Sequence, residues 1–339
     1  MEEPVIFKNK NNQELYGIAH IPSENESRKK IGIIFLNPGP GYRTGHNRLY
    51  VILARKLSQK GFYCLRFDPA GLGESEGEVE EAMLFDLFTS INQGRFVHDT
   101  IEAANFFIEK YELRELILTG LCGGAMTALL AAPHCQKVSS LILMGFPVLF
   151  SSLDIGSGTQ HAVYARRTLR NCRAWIANFN VISLDSYRGL IRKIKAYGLY
   201  ELAALLPKAL LRTLKKDSHD FHPHFNKLFM DVLESVSRDI KIGFIFGEHD
   251  RWRLFFEVEF EQKKMCRKYE KKYSYRKFII KEADHLLSSQ TCQKELLDVI
   301  EYIMHSNKLD FQFEGHRSAN DFHFGNFPGK RVKLCGIKP

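Results

Sequence analysis

The feature that most constrains this chain is an alternation. From residue 31 to residue 145, short apolar runs of strand length take turns with segments of helical spacing. Residues 31–36 form a continuous apolar run that stops in Asn37-Pro38-Gly39-Pro40-Gly41, a tight loop. Residues 49–57 put Leu49, Ile52, Leu53 and Leu57 on one helical face, and 62–67 is the next strand, closed by Asp68-Pro69-Ala70-Gly71-Leu72-Gly73. A helix over 97–111, a strand at 116–119, a helix at 123–132 and a strand at 140–145 follow. Strands that are apolar along their whole length are covered on both faces, and intervening helices are how parallel strands are joined. The spacing therefore predicts an α/β chain with a mostly parallel sheet between two layers of helices. Ahead of it, 5–8 and 15–20 read as an antiparallel hairpin.

The pattern stops at Pro147 and resumes with a strand at 240–246, a helix at 257–271, a strand at 276–280 and a helix at 293–303. Between the two parts only helical periodicity and loops are visible, and the composition turns basic. This predicts a core of residues 1–147 and 236–306, a helical cap inserted at 148–235, and a C-terminal tail at 307–339 without periodicity. No run approaches the ~18 consecutive apolar residues of a membrane helix. The acidic start Met1-Glu2-Glu3-Pro4 leads to no apolar stretch of the secretory kind. Seven cysteines are scattered without a CxxC pair, so neither a zinc ribbon nor a disulfide framework is expected, and the cytoplasm is the simplest location. The net charge of +9 comes from interspersed signs, which gives no reason to expect a nucleic-acid partner.

The strongest chemical signal is Gly120-Leu121-Cys122-Gly123-Gly124, between a predicted strand and a predicted helix. A sharp strand-to-helix turn can present its central side chain only if the residues two before and two after are small, which Gly120 and Gly124 satisfy. A helix N-terminus behind Cys122 favours negative charge on the sulfur, the reactive form of a thiol. A buried cysteine beside a glycine-rich turn is the plainer alternative.

In order along the chain, four stretches resemble the α/β-hydrolase superfamily with the usual elbow serine replaced by cysteine. They are the loop Asn37–Gly41, the turn Asp68-Pro69-Ala70-Gly71-Leu72-Gly73-Glu74-Ser75, Phe246-Gly247-Glu248-His249-Asp250 after the strand that follows the cap, and Ala283-Asp284-His285 after the last strand. The resemblance covers about residues 5–147 and 238–306 and implies the α/β-hydrolase fold with an inserted helical cap. Within it, Gly-Leu-Cys-Gly-Gly-Ala looks more like the serine-aminopeptidase-like, exosortase-associated hydrolases than the dienelactone hydrolases. The resemblance implies Cys122 as nucleophile, His285 as base and Asp250 as the acid that orients it, in the superfamily's chain order. Asp154 is the alternative acid, and Asp284 and His249 compete for the roles beside them.

The same resemblance implies an oxyanion donor from the Gly123 N–H and a second from loop 37–41. There Pro38 and Pro40 have no N–H, leaving Gly39 or Gly41, and alignment to the family loop favours Gly39. Asn37 and Gly41 are further expected near the substrate, and the Asn37 amide can also hold the loop. A cysteine nucleophile forms a thioester, open to attack by water, amines and alcohols. The expected function is therefore a cofactor-independent ester or thioester hydrolase, with an acyltransferase using the same triad as the alternative, and a non-catalytic binding protein behind both. In the cap, three of Arg166, Arg167, Arg170 and Arg173 line one helical face, where Arg166 and Arg170 would meet an anionic handle, such as that of a carrier- or coenzyme A-linked acyl group; a solvated helix face is the other reading. His219, His222 and His224 have metal-ligand chemistry, but Pro223 interrupts them and a loop is the better reading.

Overall fold

The computed structural model describes residues 1–23, 28–81, 84–149, 225–261 and 275–306. All of these belong to one unit that joins the chain up to residue 150 to the chain from 225 onward. The basic run with Arg166 and Arg170, the alternative acid Asp154, the three histidines 219, 222 and 224, and the tail lie outside the described residues.

Eight strands form one sheet: β1 (Glu2–Lys8), β2 (Glu14–His20), β3 (Ile31–Leu36), β4 (Tyr63–Phe67), β5 (Glu115–Leu121), β6 (Val138–Met144), β7 (Lys241–Gly247) and β8 (Tyr275–Ile280), in the order β1-β2-β4-β3-β5-β6-β7-β8. The β1–β2 hairpin is antiparallel, β2 runs antiparallel to β4, and every pair from β4 to β8 is parallel. The seven described helices are α1 (Leu49–Ser58), α2 (Leu84–Asn92), α3 (Val97–Tyr111), α4 (Gly123–Ala131), α5 (Lys227–Ser235), α6 (Arg251–Phe255) and α7 (Gln290–His305). A turn of π-helix, Phe256–Glu261, continues α6.

Period-two alternation along the parallel strands sorts their side chains to two faces. Ile33, Ile117, Ile142 and Ile245 meet Leu53 and Leu57 of α1 and Leu296 and Ile300 of α7. On the other face α4 is buried along its whole length, and Phe229 of α5 packs against Phe146 and Phe244. The sheet is thus covered on both sides, which is why its central strands carry almost no polar residue.

Three details differ from the sequence reading. Helix α2 was not anticipated. The helix expected at 257–271 begins earlier, at Arg251, because Asp250 caps it by accepting the Trp252 N–H at 2.9 Å. Residues 225–235, inside the stretch read as cap, contribute α5 and place Phe229 among core aromatics. No helix among the described residues is long and apolar enough to cross a membrane.

Because β3 to β8 run parallel, the segments that follow them all emerge along one edge of the sheet, where open α/β sheets hold their ligands. Asn37, Asp68, Cys122, Gly145, Asp250 and His285 all follow strands at that edge.

Candidate active site

β5 ends at Leu121 and α4 starts at Gly123, so Cys122 alone turns the chain. It does so at φ 55° and ψ −118°, a strained conformation for a residue with a side chain, of the kind retained at functional turns. Its N–H donates to the Met144 carbonyl at 2.9 Å, and its own carbonyl accepts from Ala125 and Met126 at 3.0 and 3.2 Å. The flanking glycines are there for space. A methyl carbon on Gly120 would stand 2.4 Å from the Gly124 carbonyl carbon, and one on Gly124 would stand 2.3 Å from the Leu36 carbonyl oxygen. The half-buried Cys122 is thereby lifted at the N-terminus of a nine-residue helix.

His285 reaches this sulfur from the loop after β8. Its Nδ1 donates to Asp250 Oδ2 at 2.9 Å, and the Cys122 side chain is near enough to help raise the ring's pKa. Asp250 is only 2% exposed and its second oxygen is taken by the Trp252 N–H, so the carboxylate is pinned at both ends. Burial opposes a charge on the His285 ring. The bond to Asp250 and the nearby Cys122 side chain, with the attraction of their negative charges, outweigh that opposition and push its pKa up from 6.5 to about 10. This environment favours the doubly protonated ring. Gly145, at φ 53° just past β6, leaves the gap into which the ring fits: a methyl carbon there would stand 2.6 Å from His285 Cε1 and 3.2 Å from Asp250 Oδ2. The two competitors stand apart. Asp284 accepts the Ser288 N–H and hydroxyl at 3.2 and 2.9 Å within its own turn, and His249 is exposed.

Gly39 and Gly123 are brought together. A methyl carbon on Gly123 would stand 3.1 Å from the Gly39 nitrogen, and among the described residues neither glycine's N–H has an acceptor. Two unused backbone donors side by side, next to a half-buried sulfur, are what a developing oxyanion needs.

Asn37 and Gly41, expected at the substrate, are instead occupied inside the loop. The Asn37 amide donates to the Gly41 carbonyl at 2.9 Å and to Asp68 Oδ1 at 3.0 Å, while the Gly41 N–H turns back to the Pro38 carbonyl at 3.3 Å. The reason is burial: Asn37 is 5% exposed and its amide nitrogen is paired within the loop, while its Oδ1 has no hydrogen-bond partner among the described residues. Fully buried Asp68 gathers the loop by also accepting the Arg43 N–H at 2.7 Å and the Arg43 guanidinium.

Sequence reasoning missed three contributors: Gly145, Tyr50 and helix α2. Two apolar residues of α2 lie directly on the donors, Phe88 against Gly39 and Ile91 against Gly123. The i, i+3, i+4, i+7 spacing of Leu84, Leu87, Phe88 and Ile91 was the available signal for that helix. Gly145 ends a strand and Tyr50 sits in an apolar helical stretch, so neither carries a local signal. Among the described residues no group of three or more His, Cys, Asp or Glu could hold a metal ion.

No family model matches the sequence, and no curated protein matches it. Solved structures do. An esterase of Pyrococcus furiosus aligns with a TM-score of 0.53 at 12% identity, covering 90% of this chain and 92% of its own. A proline iminopeptidase of Mycobacterium smegmatis aligns with a TM-score of 0.50 at 16% identity, over 91% and 99%. The α/β hydrolase GrgF of Penicillium sp. sh18 aligns with a TM-score of 0.50 at 15% identity, over 92% and 98%. At such identities the likeness speaks for architecture alone: the chain has the α/β-hydrolase fold.

Proposed function

We propose that this protein is a cysteine-dependent acyl hydrolase acting on esters or thioesters without a cofactor. The observation that carries the reading is the convergence of three residues: His285 is bonded to Asp250 at 2.9 Å, and the strained Cys122 is close enough to help raise the ring's pKa. The Cys122 sulfur, as thiolate beside the imidazolium, attacks the acyl carbonyl carbon and the carbonyl π electrons move onto oxygen. That oxygen takes hydrogen bonds from the Gly39 and Gly123 N–H groups. The tetrahedral adduct collapses, the bond to the leaving alkoxide or thiolate breaks, and His285 supplies its proton, leaving an acyl-Cys122 thioester and a neutral imidazole. His285 then takes a proton from water as the water oxygen attacks the thioester. Collapse releases the carboxylic acid and restores thiolate and imidazolium. Asp250 stays ionised throughout and holds the ring in the tautomer with its Nε2 toward the sulfur. The resemblance of the fold to an esterase and a peptidase is compatible with acyl chemistry.

An acyltransferase would follow the same steps with an amine or alcohol in place of water. Product analysis with competing acceptors separates the two. Because the sequence carries the basic run around Arg166 and Arg170, acyl groups on coenzyme A or on a carrier are the first thioesters to try, beside p-nitrophenyl acyl esters. The deciding experiment is intact-mass detection of an acyl adduct after rapid mixing, with peptide mapping to the modified residue. An adduct on Cys122, absent in Cys122→Ala together with turnover, is the expected result. Full turnover by Cys122→Ala, or acylation of another residue, rejects the proposal. A non-catalytic relative would give no adduct, and its Cys122 would react with iodoacetamide no faster at pH 6 than an ordinary thiol.

A further inference from the structure

Tyr50, in the first turn of α1, is fully buried, and its hydroxyl lies between two strands. The hydroxyl oxygen accepts the Leu121 N–H at 2.7 Å and donates its proton to the Leu36 carbonyl at 2.8 Å. Leu121 is the residue before the nucleophile, and Leu36 is the residue before the oxyanion loop. The last pair in the β3–β5 register is Leu36 with Gly120, and the rung that closes this pair in a parallel ladder runs from the Leu121 N–H to the Leu36 carbonyl. The tyrosine hydroxyl is inserted in that rung. With a tetrahedral angle at its oxygen, the two bonds hold the backbone atoms roughly 4.5 Å apart, against ~2.9 Å for a direct bond. The hydroxyl thus bridges the two strand ends that lead to Gly39 and Gly123.

The bridging tyrosine is itself rigid. Its ring packs on Phe35 with centroids 5.3 Å apart, its own N–H is held by the Thr44 carbonyl at 3.1 Å, and Gly45, at φ 67°, passes so close that a methyl carbon there would stand 2.9 Å from the ring. Burial drives the phenol far above its ordinary pKa, so the hydroxyl keeps the proton it donates. From the bridge to each donor is a short, stiff path: Leu36 to Gly39 through Asn37 and Pro38, and Leu121 to Gly123 through the strained Cys122.

We propose that Tyr50 is a positioning residue for acyl transfer, its hydroxyl setting the gap between β3 and β5 so that the Gly39 and Gly123 N–H groups converge on a single oxygen. The inference rests on the acyl chemistry proposed above. Without the hydroxyl the strands can close toward a direct bond, and the donors move with them. Displacing a preorganised donor by about 1 Å costs on the order of 10²-fold in rate.

The test is Tyr50→Phe, which keeps the ring and removes the bridge. Two reactions of Cys122 are compared: turnover of a p-nitrophenyl ester, which needs the oxyanion donors, and alkylation by iodoacetamide, which forms no oxyanion. We expect kcat to fall about 10²-fold with KM within about twofold, and the alkylation rate to stay within about twofold of wild type. Gly45→Ala, which presses on the ring from an outer loop, should lower kcat in the same sense by about tenfold. It carries the test if near-UV circular dichroism finds Tyr50→Phe unfolded. A kcat within about threefold of wild type in the folded variant, or kcat and alkylation falling in parallel, overturns the inference, the second because the hydroxyl would then be supporting the elbow as a whole. Failure of the parent reading looks different: the wild-type protein itself would form no acyl-Cys122.

Discussion

Gly145→Ala would put a methyl group where the His285–Asp250 pair now sits. In wild type the position of that methyl carbon is 2.6 Å from His285 Cε1, 2.8 Å from His285 Nδ1 and 3.2 Å from Asp250 Oδ2. Carbon atoms in unstrained contact stand ~3.5–4.0 Å apart, so the ring must withdraw by about 1 Å or the backbone must shift. The backbone has little room to do so, because the Gly145 N–H is held by the Ile245 carbonyl at 2.8 Å. A displacement of about 1 Å takes the ring out of its best geometry with Asp250 and Cys122 and should lower the acylation rate by about 10²-fold. An alanine at φ 53° adds a left-handed penalty of about 1–2 kcal/mol, which lowers the melting midpoint by a few degrees without unfolding the chain. The assay is the pre-steady-state burst of p-nitrophenol, run beside iodoacetamide alkylation at pH 6 and NMR titration of the histidines. If His285 assists Cys122 as proposed, alkylation should slow along with the burst. A folded Gly145→Ala protein that keeps more than about a third of the wild-type burst rate would refute the claim that the ring is held in a close-fitting gap.

Three further outcomes are expected. Asp250→Asn removes the acceptor and the charge that help raise His285, so its NMR titration should move down from about 10, and kcat should fall by roughly 10³–10⁴-fold; an unmoved titration counts against the pair. His285 faces Asp250 from the β7 end, Cys122 from the elbow and His46 from the segment before α1, and its folded pKa of about 10 lies above 6.5. Its contribution to stability is therefore complete below pH ~6.5 and lost as pH rises through about 10, at most about 5 kcal/mol, and urea midpoints of wild type and His285→Gln should converge over that window. Gly124→Ala places its methyl 2.3 and 2.7 Å from the carbonyl oxygens of Leu36 and Asn37, which are backbone atoms with no rotamer to escape into, and soluble folded protein should be lost.

The parts of the fold that were legible in the sequence are those dictated locally. Continuous apolar runs such as Ile31–Leu36 can only be strands buried on both faces, and the spacing of Gly120 and Gly124 around Cys122 is a steric necessity written in two residues. His285 and Asp250 were found through resemblance, since nothing in their neighbourhoods announces a meeting of residues 35 apart in the chain. What stayed hidden depends on distant contacts. Tyr50 reads as one more aromatic on an apolar helical face until Leu121, 71 residues away, donates to it. Asp250 was read for its charge, so its second task of starting α6 went unseen and the helix was placed too late. Asn37 and Gly41 were assigned to the substrate because their loop borders the site; how deeply the loop is buried, which decides that they serve each other, is a tertiary property.

The two grips on the His285 proton have different lifetimes. In the resting site the ring is held charged, against burial, by Asp250 and by the sulfur together. On the proposed chemistry, once an acyl group occupies the sulfur its part in raising the ring's pKa is gone, while burial and Asp250 stay. The imidazole then parts with its proton more easily than before, at the moment it must collect one from the incoming nucleophile. On the proposed chemistry, acylation would thus work as a turnstile that gives the site a built-in sequence of acid first and base second.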